Sequence, residues 1–157
     1  MKETKRVTKK KIYIAGPLFS SHERSFLEEI VKTLSEKLSI DSIKEVFLPH
    51  RDAGEVDAHG KNRGFIFDED VKRLDEADII IALLDGPDVD SGTCIELGYA
   101  YAREKEIFGI LTDFRKWDEK ESVKDINLMV WGVCLRGSRI YKGVNNELIL
   151  NLKKALK

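Results

Sequence analysis

The feature that most constrains the fold is an unbroken apolar run, IIIALL, at residues 79–84. Its first three residues are isoleucines, whose β-branched side chains favour extended backbone. A run with no polar residue is typical of a strand buried on both faces, as in a parallel sheet. The run therefore predicts a central strand with a layer of helices on each side of the sheet.

Strand and helix patterns alternate along the rest of the chain. Shorter apolar runs predict further strands at residues 12–15, 46–49, 107–111 and 138–141. Apolar residues at helical spacing, with polar starts, predict helices at residues 21–38, 65–77, 92–105 and 145–156. This alternation predicts a single-domain α/β fold with three αβα layers. Its doubly wound, mostly parallel sheet would have about five strands, as in flavodoxin-like or Rossmann-like folds.

The 157-residue chain is expected to hold one catalytic domain, residues 11–157, after a short basic tail, residues 1–10. The first eleven residues contain six Lys or Arg and one Glu, which is typical of a solvated, flexible terminus. A nucleic-acid or membrane role for the tail is the less favoured alternative. Residues 115–124 are expected to form a solvated loop.

The composition disfavours several partners. A net charge of −1 lacks the basic excess of nucleic-acid binders. No apolar run precedes Ile12, as a signal peptide would require, and no stretch approaches the roughly 20 apolar residues of a membrane span. Cys94, Cys134 and the three histidines lack the spacing of a disulfide framework or a metal site. We expect a cytoplasmic protein that needs neither a metal nor another cofactor.

The carboxylates at the predicted strand ends are the candidate chemical groups, because parallel α/β folds place their sites there. Residues 90–96, DSGTCIE, follow the central strand and end in Glu96, near the start of a predicted helix. The helix dipole would help Glu96 to stay ionised, and an ionised carboxylate can attack an anomeric carbon. Alternatively, Glu96 is an ordinary acid in a helix capped by Asp90 or Ser91.

Asp70 is the second candidate, early in the helix predicted at residues 65–77. Acids are favoured near helix starts, so Asp70 could equally be an ordinary surface residue. Two carboxyl groups in different environments are the general means of cleaving a glycosidic bond. The residues alone thus indicate carboxylate-based chemistry, with glycosyl transfer among the candidates. The chain contains no Walker-type, GxGxxG or GxSxG motif.

Four segments resemble the nucleoside 2-deoxyribosyltransferase family. They are residues 12–19 (IYIAGPLF), 70–84, 90–100 (DSGTCIELGYA) and 126–133 (INLMVWGV). They occur in the family's order and extend over most of residues 12–133, and the last two are the most specific. The resemblance implies an enzyme that exchanges the nucleobase of 2′-deoxynucleosides, with free nucleobases as the other substrates. It also implies a homo-oligomer, either a dimer or a hexamer.

The resemblance implies three catalytic residues. Glu96 matches the nucleophile that carries a covalent 2-deoxyribosyl intermediate, so that a double displacement retains the configuration. Tyr13 matches a tyrosine whose hydroxyl orients that glutamate, although a buried strand tyrosine is the alternative. Asp70 matches the acid that contacts the nucleobase and assists its protonation.

The resemblance also implies five substrate-binding residues. Asp90 matches a residue that binds the sugar hydroxyls, and Asn127 one that reaches the sugar from a neighbouring subunit. Phe19 resembles an aromatic wall of the base pocket and Met129 a residue that lines the same cavity, although core packing is the alternative for both. Gly16, in the first of the four segments, is included with them.

The segment after Pro49 departs from the family pattern. His50, Arg51 and Asp52 are more charged than the polar, uncharged base-recognition segment of some members. This departure raises a second hypothesis, a deoxynucleoside 5′-monophosphate N-hydrolase in which His50 or Arg51 meets the phosphate. A third hypothesis is a nucleotide-sensing module without catalysis, but its expected mark, loss of the acids, is not seen.

Overall fold

The computed structural model describes residues 9–39, 41–114 and 126–157 of the chain. Of the predicted tail, only Lys9 and Lys10 are among these residues, and the loop predicted at residues 115–124 lies outside them. Within the described ranges, no helix is long and apolar enough to cross a bilayer.

In the described part of the chain, five parallel strands form one sheet, which confirms the predicted fold class. The strand order is β2-β1-β3-β4-β5. The strands are β1 (Lys10–Ala15), β2 (Ile43–Phe47), β3 (Ile79–Leu83), β4 (Glu106–Ile110) and β5 (Ile140–Tyr141). The central strand is β3, and all five of its residues are buried. The apolar run therefore forms the middle of the sheet, as predicted.

Six helices flank the sheet in the described residues. They are α1 (Ser21–Lys37), α2 (Pro49–Asp52), α3 (Arg63–Glu76), α4 (Ser91–Ala102), α5 (Leu128–Val133) and α6 (Asn146–Ala155). The sequence predicted α1, α3, α4 and α6 but neither α2 nor α5, because four or six residues show no helical period. Pro49 was assigned to a strand, whereas it is the first residue of α2, a position where its missing N–H costs no hydrogen bond.

Alternate side chains of the strands face two separate apolar layers. On one face, Ile12 and Ile14 of β1 pack in the core that includes buried residues of α1 and α6. On the other face, Tyr13 and Ala15 pack in the core that includes buried residues of α3, α4 and α5. This alternation turns the hydroxyl of Tyr13 towards the layer that contains both candidate acids.

The sheet begins two residues earlier than predicted, at Lys10. The backbone N–H of Lys11 donates to Oδ2 of Asp78 at 2.9 Å, and Nζ of Lys10 lies 3.4 Å from Oδ1 of the same residue. Asp78 thus ties the start of β1 to the start of β3. An exposed pair of this kind contributes little to stability, but it fixes the register of the two strands.

Candidate active site

The centre of the candidate site is a hydrogen bond between β1 and α4. The hydroxyl of Tyr13 donates to Oε1 of Glu96 at 2.6 Å. Tyr13 is fully buried, and burial beside Glu96 raises the pKa of its hydroxyl well above the usual value, so the hydroxyl keeps its proton and remains a donor. The structure therefore brings together two of the three residues predicted to be catalytic.

Glu96 holds its proton more tightly than an ordinary glutamate. Burial raises the pKa of Glu96 to about 7, the Tyr13 hydrogen bond lowers it, and the charges of Asp70 and Asp90 raise it. The expectation that the helix dipole keeps Glu96 ionised is wrong. Glu96 is the sixth residue of α4, beyond the first turn in which the dipole acts, and burial outweighs it.

Asp70, on α3, is the second acid with a raised pKa. Burial and the charge of Glu69 raise the pKa of Asp70 to about 6. Its Oδ1 atom is buried and has no hydrogen-bond partner among the described residues. The site thus contains two carboxyl groups that both change protonation state near neutral pH, which is the range a proton-transfer catalyst needs.

A cavity of about 400 Å³, the Glu96 cavity, lies against the sheet between α3 and α4. Apolar side chains form most of its wall, and the catalytic candidates supply its polar groups. Its lining residues are Tyr13, Phe67, Asp70, Val71, Leu74, Gly92, Ile95, Glu96 and Tyr99. A low-polarity wall around a few polar groups is the usual composition of a small-molecule site.

A second cavity, the His50 cavity, adjoins the first at Asp70, whose side chain lines both. It has a volume of about 280 Å³ and lies beside α2. Its lining residues are Leu18, Arg24, Pro49, His50, Gly54, Glu55, Val56, Ile66 and Asp70. A substrate with two parts could therefore place one part beside Glu96 and the other beside His50.

Two further cavities, of about 680 and 410 Å³, lie at the other end of the sheet. Both are lined by Glu106, the first residue of β4, and by Arg139, which forms an ion pair with it. Ligands of parallel α/β folds bind outside the carboxyl ends of the strands, so these cavities are poorer candidates than the smaller pair.

Two predicted substrate-binding residues cap helices. Oδ2 of Asp90 accepts a bond from the backbone N–H of Thr93 at 3.0 Å, so Asp90 is the residue that caps the start of α4. Oδ1 of Asn127 accepts a bond from the backbone N–H of Met129 at 2.9 Å at the start of α5. Neither residue lines the Glu96 cavity or the His50 cavity of its own chain.

Phe19 and Met129 are surface residues of the chain. Their exposed fractions are 76% and 75%, so the core-packing alternative is wrong for both, and neither lines the two cavities. Gly16 has a packing role in the fold. A Cβ atom there would lie 2.8 Å from Cδ2 of Leu27 and 3.1 Å from Cβ of Leu83, so a side chain would require Leu27 or α1 to shift.

The charged segment after β2 is already paired. Arg51 donates from Nε and Nη2 to the carboxylate of Asp52, at 2.7 Å each, and also to the backbone carbonyl of Val46. Nε2 of His50 lies 3.1 Å from Oε1 of Glu28. The guanidinium of Arg51, one of the groups considered for a phosphate, is thus engaged by its neighbour.

Most residues of the Glu96 cavity wall were not predicted, although the sequence contains a spacing pattern that identifies them. The α3 side chains of the Glu96 cavity are at positions 67, 70, 71 and 74, and the α4 residues at 92, 95, 96 and 99. Both sets follow the i, i+3, i+4, i+7 spacing of one helix face. Once Asp70 and Glu96 were chosen, this spacing could have identified the other wall residues.

Comparison with known proteins gives a consistent result. The family model described as nucleoside 2-deoxyribosyltransferase matches residues 12–129. An uncharacterized protein of Ureaplasma parvum is 30% identical over 92% of this chain and 97% of that protein. A nucleoside deoxyribosyltransferase of Limosilactobacillus fermentum is 28% identical over 83% of this chain and 79% of that enzyme.

Solved structures share the fold. A conserved protein from Enterococcus faecalis superposes with a TM-score of 0.75 and 24% identity, covering 95% of this chain and 98% of that one. A 2-desoxiribosyltransferase from Leishmania mexicana has a TM-score of 0.61 and 22% identity, covering 91% and 95%. At these identities the likeness establishes the architecture.

Proposed function

This chain belongs to the nucleoside 2-deoxyribosyltransferase family, and we propose that it exchanges the nucleobase of 2′-deoxynucleosides through a covalent 2-deoxyribosyl intermediate on Glu96. The family comprises deoxyribosyltransferases and related N-glycosidases, so the coarse activity is that of a glycosyl-transferring enzyme. The observation that carries the finer proposal is the Tyr13–Glu96 hydrogen bond in a cavity that also contains Asp70.

In the first half of the proposed reaction, a carboxylate oxygen of Glu96 attacks the anomeric carbon as the bond from that carbon to the base nitrogen breaks. The bonding electrons leave with the base, which takes a proton from Asp70. Tyr13 holds the attacking carboxyl group in place through its hydrogen bond. The transition state has oxocarbenium character, as in retaining glycosidases.

In the second half, a nitrogen of the incoming base attacks the same carbon and releases Glu96 as a carboxylate. Asp70 takes up the proton that the incoming base loses. Two displacements at one carbon retain its configuration. The same residues therefore act in reverse order, and the enzyme returns to its starting state.

The proposed cycle needs the single shared proton on Asp70 and not on Glu96. The pKa values of the two groups, about 6 and about 7, are close, so the proton can occupy either carboxyl group. Positive charge that develops on the sugar beside Glu96 favours ionisation of Glu96. A base nitrogen that accepts a bond from Asp70 favours the protonated form of Asp70.

Two helix caps are proposed to bind the sugar. Asp90 uses Oδ2 for both of its bonds to Thr93, so a sugar hydroxyl would bind Oδ1. Asn127 does not line its own chain's cavities, in keeping with a role across a subunit interface. We propose that the exposed side chains of Phe19 and Met129 cover the substrate. Gly16 is proposed to keep the backbone close to the substrate.

We propose a homo-oligomer because the exposed apolar side chains are unevenly distributed. The helices that cover the Tyr13 face of the sheet carry six large exposed apolar residues, namely Phe65, Phe67, Ile95, Tyr101, Leu128 and Met129. Of the same set, α1 and α6 on the opposite face carry one, Leu150. Apolar patches of this kind mark protein interfaces, and this one borders the Glu96 cavity.

A cytoplasmic location is also part of the proposal.

The first test is chromatography of deoxyinosine incubated with the pure protein, with and without free adenine. The proposal predicts deoxyadenosine only when adenine is present. Glu96→Gln keeps the shape of the side chain but removes the nucleophile, and should reduce the rate by roughly a thousandfold or more. Glu36→Gln, on the exposed surface of α1, is the matched control and should leave the rate unchanged.

Other outcomes of this experiment identify the alternatives. Free deoxyribose that accumulates at the same rate with or without adenine would replace the transferase proposal with a hydrolase. If deoxyinosine does not react, the incubation is repeated with deoxynucleoside monophosphates, and release of their free base would identify the monophosphate N-hydrolase. Binding of nucleosides without turnover, unchanged in Glu96→Gln, would support the sensing module.

A further inference from the structure

The His50 cavity has an unusual concentration of unpaired polar atoms. Among the described residues, two buried side-chain polar atoms have no hydrogen-bond partner, Nδ1 of His50 and Oδ1 of Asp70. Both residues line this one cavity. Buried polar atoms are nearly always paired in folded proteins because an unpaired one is destabilising. A ligand that pairs with both atoms would remove that penalty.

The position of His50 is fixed by its surroundings. Its side chain is only 7% exposed, and it lies on α2 between Pro49 and Arg51. Oδ2 of Asp52 accepts the backbone N–H of Leu48 at 2.8 Å, which closes the start of this short helix. The imidazole is therefore held at the cavity wall by the backbone and by its contact with Glu28.

The contact with Glu28 determines what Nδ1 can do. Nε2 lies 3.1 Å from Oε1 of Glu28, and an ionised carboxylate can only accept hydrogen bonds. Nε2 can donate to this carboxylate, and in the tautomer that does so Nδ1 has a free lone pair. In that tautomer Nδ1 accepts, and its preferred partner is an N–H or O–H group of a ligand.

We infer, on the basis of the proposed function, that the His50 cavity binds the edge of the nucleobase. His50 then selects bases that have an exocyclic amino group next to a ring nitrogen. Asp70 would donate its proton to the ring nitrogen, and Nδ1 of His50 would accept an N–H of the amino group. Adenine and cytosine have this pattern. Hypoxanthine and uracil carry a carbonyl oxygen there, which would face the Nδ1 lone pair.

Binding at the two atoms would require small side-chain movements. Both are shielded from solvent in the structure, so a bound base reaches them after the imidazole turns slightly or the Asp70 carboxyl rotates. A rotation of Asp70 by half a turn exchanges its two oxygens without moving the backbone. Asp70 lines both this cavity and the Glu96 cavity, so a base bound here would lie next to the proton donor that the reaction needs.

The test measures binding of free bases by calorimetry, in two pairs of similar size: adenine with hypoxanthine, and cytosine with uracil. We expect the amino base to bind roughly tenfold more tightly in at least one pair, which is the effect of one buried hydrogen bond. The two pairs show whether purines, pyrimidines or both are accepted. Equal binding within both pairs, or no binding of any base, would overturn the inference.

Variants separate His50 from general effects on the cavity. His50→Leu keeps an apolar side chain of similar size and should abolish the preference for the amino base, whereas His22→Leu, on the exposed start of α1, should keep it. Glu28→Gln alters a residue outside the cavity lining and serves if His50→Leu does not fold. A glutamine amide can donate to Nε2, which allows a hydrogen on Nδ1, so the preference should fall in this variant too.

The failure of this inference can be told from the failure of the proposed function. If the protein exchanges bases and the His50→Leu variant keeps the preference for amino bases, the role of His50 is refuted but the transferase proposal is not. If amino bases bind more tightly, this preference is lost in His50→Leu, and no base is exchanged, the transferase proposal is refuted but the role of His50 is not.

Discussion

At the residue scale, the shared proton of Asp70 and Glu96 determines the pH dependence. Activity requires one of the two carboxyl groups to be protonated and the other ionised. Below about pH 6, both carboxyl groups are protonated and Glu96 cannot attack. Above about pH 7, both are ionised and the leaving base has no proton donor. We expect kcat/KM for deoxyinosine and adenine to peak between these values and fall on both sides. A rate that stays level into the alkaline range would contradict this proton assignment.

Tyr13 should affect the rate through Glu96. Tyr13→Phe removes a hydrogen bond to an ionised group, which should reduce kcat/KM by about 10- to 100-fold. Since the bond lowers the pKa of Glu96, its loss raises that pKa and should move the pH optimum upward. Tyr141 is a matched control, because it is also buried and its hydroxyl accepts one bond from Asn151. Tyr141→Phe should change neither the rate nor the optimum.

Glu96 should also reduce the stability of the protein in a pH-dependent way. Its folded-state pKa, about 7, exceeds the usual 4.5, so ionisation destabilises the folded state as the pH rises between these values. Glu96→Gln avoids this cost and should be more stable by about 1–3 kcal/mol above pH ~7, with little difference below pH ~4.5. Chemical denaturation at both ends of this range measures the effect. A stability difference that does not vary with pH would show that burial of the charge is not its cause.

At the scale of elements, the contact of α1 with the sheet depends on Gly16. Gly16→Ala would place a Cβ atom 3.1 Å from Cβ of Leu83 and 2.8 Å from Cδ2 of Leu27. Because Leu83 is part of the central strand, the buried Leu27 side chain or its helix must shift, and we expect a loss of about 1–3 kcal/mol in unfolding free energy. Gly64→Ala, on α3 with open space around it, should cost nothing or stabilise. Equal stability of the two variants would show that α1 adjusts freely.

The elements also show where sequence reasoning succeeds. The strand β3 and the four longer helices were predicted because a buried strand and an amphipathic helix each impose a repeating pattern on many residues. The short helices α2 and α5 have no such pattern, and it is α2 that positions His50. The residues alone indicated Glu96 and Asp70 and the resemblance added Tyr13, but the pKa values of all three depend on burial by residues distant in sequence. That burial overturned the expectation for Glu96.

On the scale of the whole molecule, the two helix layers differ in what they leave uncovered. The layer of α1 and α6 buries its apolar residues against the sheet and leaves one large apolar side chain exposed, Leu150. The layer of α3, α4 and α5 has an apolar interior and also exposes six large apolar side chains. A single chain gains nothing from the second apolar surface, and a second copy that covers it would also enclose the Glu96 cavity. Assembly and catalysis would then depend on the same face.

Ile95 tests this coupling directly. It is 73% exposed, lines the Glu96 cavity and precedes the nucleophile in α4. Ile95→Glu would bury a charge in the proposed interface, so we expect light scattering after gel filtration to show a smaller species, and exchange activity to fall with it. Leu150→Glu makes the same change at a 55% exposed position on α6 and should affect neither. A wild-type protein that is a fully active monomer would refute the proposed oligomer, and with it the role of Asn127 across an interface.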